Sequence, residues 1–106
     1  MPFGLSDDEV SRIHQVLRKL PKLTKVLIYG SRAKGNFKPS SDIDLTLIGE
    51  NLSFSDLAHL DTELDDLLLP YTFDLSIYLD IENPDLKDHI DRVGKVFYQL
   101  TATTTG

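Results

Sequence analysis

The sequence predicts an α/β fold of the α+β kind, a single small domain in which a mixed β-sheet is covered by helices on one face. Three observations predict it. Two capping-box pairs, Ser6 with Glu9 and Ser53 with Asp56, each open a run of apolar residues at helical spacing. Two other segments alternate apolar and polar residues, the period of a half-buried strand. The chain has 106 residues, enough for one compact core and too few for two.

The elements follow in order. After the Ser6 cap, Val10, Ile13, Val16, Leu17 and Leu20 recur at helical period, and Pro21 ends the run. Lys25 to Tyr29 is short, apolar and β-branched, and reads as a buried strand. The polar stretch from Arg32 to Ser41 contains Gly35, Asn36 and Pro39, which predicts a loop or a short helix and a loop. From Asp42 to Ile48 the chain alternates, with Ile43, Leu45 and Leu47 on one face and Asp42, Asp44 and Thr46 on the other. The helix capped by Ser53 carries Leu57, Leu60, Leu64, Leu67 and Leu68, followed by Pro70. Thr72 to Leu79 alternates again, with Thr72, Asp74, Ser76 and Tyr78 on the polar side. Asn83-Pro84 is an N-cap with proline at the first helical position, Leu86, Ile90 and Val93 form the inner face, and Gly94 suits the end. Val96 to Tyr98 predicts a last short strand. The domain is expected to span residues 1–100, with a frayed tail over 101–106. The polar strand faces leave the side opposite the helices open.

Composition excludes several classes of function. The net charge is -6, so a long nucleic acid is not an expected partner. There is no cysteine, hence no disulfide framework and no thiolate metal site. No apolar run approaches the ~20 residues of a membrane span, and Asp7, Asp8 and Glu9 near the start are unlike a signal peptide. The expected setting is the cytoplasm.

The chemistry concentrates in three aspartates and a turn. Asp42 and Asp44 are two apart on a strand, so both point to one side. Asp74 lies on the polar side of the next strand, and if those strands pair, the three carboxylates converge. Two unit charges about 4 Å apart repel by roughly 4 kcal/mol at an effective dielectric near 20, so a proton or a metal must offset them. Carboxylates without Cys or His suit Mg²⁺ or Mn²⁺, and Mg²⁺ completes its shell with water and substrate phosphates. Gly30-Ser31 ends the preceding strand, where a glycine turn aims backbone N–H groups at an anion, with Arg32 and Lys34 adding positive charge. His14, His59 and His89 fall on helices without metal-site spacing and read as surface residues, Tyr29 and Phe73 as core. Asp56, Asp61, Glu63, Asp65 and Asp66 make the second helix acidic; a solvated face is preferred to a docking surface for a basic partner.

The stretch Tyr29-Gly-Ser-Arg-Ala-Lys-Gly35 through Ser41-Asp-Ile-Asp-Leu45 resembles the signature of the polymerase-β-type nucleotidyltransferase superfamily. That signature is Gly-Ser, a spacer of about ten residues, Asp-x-Asp, and a third carboxylate between apolar residues on a later strand. Here ten residues separate Ser31 from Asp42, and Phe73-Asp74-Leu75 fits the third element. The small size is similar to the minimal branch, the MNT antitoxins of HEPN/MNT toxin–antitoxin pairs. The resemblance implies a polymerase-β-like core, Asp42, Asp44 and Asp74 as catalytic metal ligands, and Gly30, Ser31 and Arg32 as the nucleotide-binding segment. It further implies one or two Mg²⁺ ions, ATP as AMP donor, and a tyrosine hydroxyl of a helical HEPN toxin as acceptor within a hetero-oligomer. The alternatives are a small hydroxylated acceptor such as an aminoglycoside, and an antitoxin that acts by contact alone.

Overall fold

The computed structural model describes residues 2–100, so the tail expected over 101–106 lies outside the described residues. Helix α1 (Asp7–Leu17) begins at the predicted capping box. Glu9 N–H donates to Ser6 Oγ at 3.1 Å and Ser6 N–H to Glu9 Oε1 at 2.9 Å, so two donors orphaned by the helix start are satisfied reciprocally. Ile13, Val16 and Leu17 form its buried stripe. Strand β1 (Leu23–Tyr29) starts two residues earlier than the periodicity indicates, and its ladder with the next strand is irregular between Leu23 and Lys25. A single helical turn, α2 (Ser31–Lys34), a loop, and strand β2 (Ile43–Gly49) follow.

Helix α3 (Phe54–Asp65) has the second capping box, with Ser53 N–H donating to Asp56 Oδ2 at 2.9 Å. It is shorter than its leucine pattern. Leu60 and Leu64 are buried, but Leu67 and Leu68 lie beyond the last helical turn, and Leu68 adopts φ 58° with its side chain 88% exposed. Pro70 bars the helix from continuing, and the chain reverses there instead. Strand β3 (Phe73–Ile77) is likewise cut short, because a 3₁₀ turn over Tyr78–Asp80 leaves Leu79 in solvent. Helix α4 (Pro84–Val93) starts at Asn83, whose Oδ1 accepts from Asp85 and Leu86 N–H. Gly94 closes it in extended rather than left-handed backbone, and β4 (Lys95–Gln99) completes the chain.

The sheet order is β3-β2-β1-β4. β1 pairs antiparallel with β2 and β4, whereas β2 and β3 run parallel through the α3 crossover. Val26 and Ile28 face Leu47 and Leu45, and with Ile43 they form the core against α1 and α3. Lys19–Glu63 and Lys22–Asp56 ion pairs join α3 to the segment after α1. The predicted covering of one face thus belongs to α1 and α3. Helix α4 lies against the other face of β1, because its His89 meets the ring of Tyr29, which points away from the core. That leaves the polar face of β2 and β3 uncovered by α1 and α3. Among the described residues no helix is long and apolar enough to cross a membrane.

Candidate active site

At the end of β1 the chain turns sharply at Gly30, with φ 75° and ψ −156°. Backbone of that kind strongly favours glycine. A side chain is also excluded by space, because a Cβ at position 30 would collide with Asp44 Oδ2. The turn and the carboxylate are therefore built as one piece. Gly30 N–H donates to His89 Nε2 at 3.2 Å. Ser31 then opens α2, where no side chain caps the first N–H groups. One turn is too short to sum to a useful macrodipole. What α2 offers an anion is its uncapped backbone donors.

Arg32 does not join them. Although expected beside a phosphate, its side chain is 2% exposed and turned into the protein. Nε and Nη2 donate to Ser41 O at 3.1 and 2.9 Å, Nη1 to Phe3 O at 2.8 Å, and Nη2 also to Pro39 O at 3.3 Å. The guanidinium lies 5.1 Å from the Phe37 ring centre and 4.9 Å from that of Tyr71. A buried charge must be met by hydrogen bonds or an opposite charge, and here carbonyls and ring faces meet it. The reading of Arg32 as a nucleotide contact is corrected accordingly. Arg32 ties the loop to the residue directly before Asp42. Periodicity carries no signal of this, since a long side chain on a single turn can point either way.

Parallel pairing places Asp44 beside Asp74, Thr46 beside Ser76, and Ile43 beside Phe73. Neighbouring strands are about 4.8 Å apart, so the Asp44 and Asp74 side chains leave the sheet side by side. Tyr29 faces Asp44 from β1 and completes the row. Behind it, Ser76 Oγ donates to Thr46 Oγ1 at 3.0 Å, which satisfies a fully buried hydroxyl. Asp42 precedes β2 by one residue and is exposed, as is Asp74, while Asp44 between them is half-buried.

The electrostatics follow from this arrangement. Burial pushes the Asp44 carboxyl above its ordinary pKa, and the charges of Asp74 and Asp42 push it further. Burial also raises the Tyr29 hydroxyl; the Ser76 hydroxyl pulls it back, and Asp74 and Asp44 push it up. Tyr29 is packed as expected, yet it belongs to this polar row. His89, expected on the surface, also belongs here. The available signal was its spacing, three residues after Leu86 and four before Val93, which puts it beside the inner face of α4.

The donors suit a hard divalent cation, being oxygen ligands whose mutual repulsion a positive ion would relieve. Among the described residues no three His, Asp or Glu side chains already stand close enough to enclose an ion. The carboxylates stand away from the clefts of about 280 and 210 Å³ beside β4 and between α3 and β3.

Comparison with known proteins adds the following. The family described as "Polymerase beta, Nucleotidyltransferase" matches residues 11–102. A chain of a toxin–antitoxin crystal structure with AMP-PNP superposes with a TM-score of 0.71 at 24% identity, covering 86% of this chain and 73% of that one. A chain from the complex of tri-AMPylated HEPN toxin with MNT antitoxin of Shewanella oneidensis gives 0.67 at 20% identity, over 91% of this chain and 74% of that one. A chain of an MntA–HepT toxin–antitoxin structure gives 0.66 at 21% identity, over 90% and 74%. At these identities the likeness is one of fold. No curated protein matches the chain.

Proposed function

Because the chain belongs to the polymerase β nucleotidyltransferase family, we propose that it transfers AMP from ATP to a tyrosine hydroxyl of a HEPN-type toxin and acts as that toxin's antitoxin. The observation that carries the reading is the register Asp44↔Asp74, with Asp44 packed against the Gly30 turn and Asp42 two residues before it. The partner is supported by the fold shared with chains from toxin–antitoxin structures, one with AMP-PNP and one with a tri-AMPylated toxin. Open placement of the carboxylates supports it too, since a second body must then bring the acceptor. We place the reaction in the cytoplasm, where ATP and Mg²⁺ are at hand, and the net charge of -6 disfavours a long nucleic acid as substrate.

In this reading Gly30 and Ser31 lie against the triphosphate. Asp42 and Asp44 would hold Mg²⁺, or Mn²⁺ in its place, and Asp74 would serve the acceptor side. When bound, the metal neutralises phosphate charge and lowers the pKa of the attacking hydroxyl. The tyrosine oxygen attacks the α-phosphorus. The new O–P bond forms as the bond from the α-phosphorus to the bridging oxygen breaks, and pyrophosphate leaves with that oxygen. Asp74, exposed on the neighbouring strand, accepts the hydroxyl proton. Tyr29 and the Thr46–Ser76 pair hold the row in place from beneath.

The test is incubation of the chain with the toxin, Mg²⁺ and ATP labelled at the α-phosphate. Label on a toxin tyrosine, lost with Asp42→Asn, is the expected result. Toxin neutralised without label, and equally by Asp42→Asn, would replace enzyme with contact inhibitor. Label on an added aminoglycoside but not on the toxin would move the acceptor to a small molecule.

A further inference from the structure

We propose that His89 is a positioning residue for the nucleotide. By accepting the Gly30 N–H at Nε2 it holds the Gly30–Ser31 turn in the shape that seats Asp44. The inference rests on the nucleotidyltransferase reading of that turn and extends it to a residue on a different element. Three features lead to it. Gly30 has φ 75° and ψ −156°, a backbone state that its neighbours must stabilise. The His89 ring meets Tyr29 edge-on at 6.2 Å between centres, so the imidazole is oriented by packing on one side and by the Gly30 N–H on the other. Helix α4 reaches β1 at this point, so the contact is a tether between the turn and a rigid helix.

The hydrogen bond fixes the imidazole's chemistry. With Nε2 accepting, the ring is neutral and its proton sits on Nδ1. One of the N–H groups at the turn is thereby committed to the protein, which leaves Ser31 and the residues after it to face the phosphates. The gain is preorganisation: a turn already in its binding shape loses less conformational freedom when the nucleotide arrives.

The experiment separates the acceptor atom from the bulk of the ring. His89→Gln places a carbonyl oxygen at about the reach of Nε2. His89→Asn stops one bond short, and His89→Phe keeps an aromatic ring against Tyr29 but offers no acceptor. Binding of AMP-PNP with Mg²⁺ is measured by titration calorimetry, and exchange of the Gly30 amide by NMR. His89→Phe and His89→Asn are expected to weaken AMP-PNP by about tenfold, the share of one positioned hydrogen bond, and to speed Gly30 exchange. His89→Gln is expected to stay within about threefold of the native chain with Gly30 still protected. Equal binding by all four chains overturns the proposal and leaves the transferase reading intact, as does a His89→Phe chain that binds like His89→Gln. A native chain that binds no AMP-PNP overturns both. Should His89→Phe fail to fold, the Gln and Asn pair alone decides.

Discussion

Two charged regions flank the loop between residues 35 and 42, and they are built on opposite rules. On one side Arg32 is buried, its donors spent on carbonyls of Phe3, Pro39 and Ser41 and its faces covered by Phe37 and Tyr71. On the other, Asp42, Asp44 and Asp74 stand half-buried to exposed, and the charges of Asp42 and Asp74 raise the Asp44 carboxyl between them. A charge answered by its own chain contributes to structure. Charges gathered and left unanswered await something from outside. Charge type alone would have assigned both regions to the ligand.

The contrast is broken most directly at Asp44. Asp44→Asn is expected to cut AMP transfer by on the order of 10³-fold, comparable to loss of a principal electrostatic contact in an active site. The same change should leave thermal stability equal or higher, because it relieves repulsion; transfer within tenfold of native, read with labelled ATP, would dissolve the distinction. Arg32→Met should show the reverse pattern. Orphaned carbonyls and a loosened loop predict a loss of about 3 kcal/mol in urea unfolding, with Arg32→Lys no rescue because an ammonium cannot reproduce the planar fork. A stable Arg32→Met chain with poor ATP binding would instead return Arg32 to the ligand. Gly30→Ala joins the two regions. Strain at φ 75° and the collision with Asp44 predict a loss of about 1–3 kcal/mol. Asp44→Ala in the same chain should recover only the collision's part, a coupling that a double-mutant cycle reads.

The smallest effect distinguishes the regions by sign. Asp44 has a folded pKa above its ordinary value, so the folded state holds that proton more tightly than the unfolded chain does. Its contribution should therefore decline as pH rises from the usual carboxylate range through the raised value. Glu9, beside Tyr71 at the edge of the Arg32 cluster, has its pKa lowered, first by the Ser6 backbone hydrogen bond, with Tyr71 also lowering it. Its contribution is present above the ordinary value and is lost as pH falls through the lowered one. Melting temperature against pH for Asp44→Asn and Glu9→Gln should remove the high-pH and low-pH declines separately; a shared change would sink the comparison.

Much of this was legible before any coordinates. Both capping boxes, the Asn83-Pro84 start and the two alternating strands depend on spacings of two to four residues, which a chain displays openly. Asp42 and Asp44 share a side by the same arithmetic. The Asp44↔Asp74 register was conditional, because pairing between strands about thirty residues apart is decided by the α3 crossover. Arg32 and His89 were misread for a related reason. Their partners, Phe3 and Tyr71 for the one and Gly30 for the other, are distant in sequence, and nothing local announces which way a long or polar side chain will turn. Leu67 and Leu68 failed differently: leucine spacing continued past the point where Pro70 could tolerate a helix.

The parallel ladder between β2 and β3 also governs when the active centre comes into being. Parallel neighbours cannot be joined by a tight hairpin, so the chain must close a long arc through α3 before residue 74 meets residue 44. Closure of that arc brings like charges together, and a cation present at that moment would favour it. A nascent or partly opened chain can therefore hold the Gly-Ser turn and the first two acids yet lack the third. A protein loosened at α3 would thus part residue 74 from residue 44 while keeping the turn and the first two acids together.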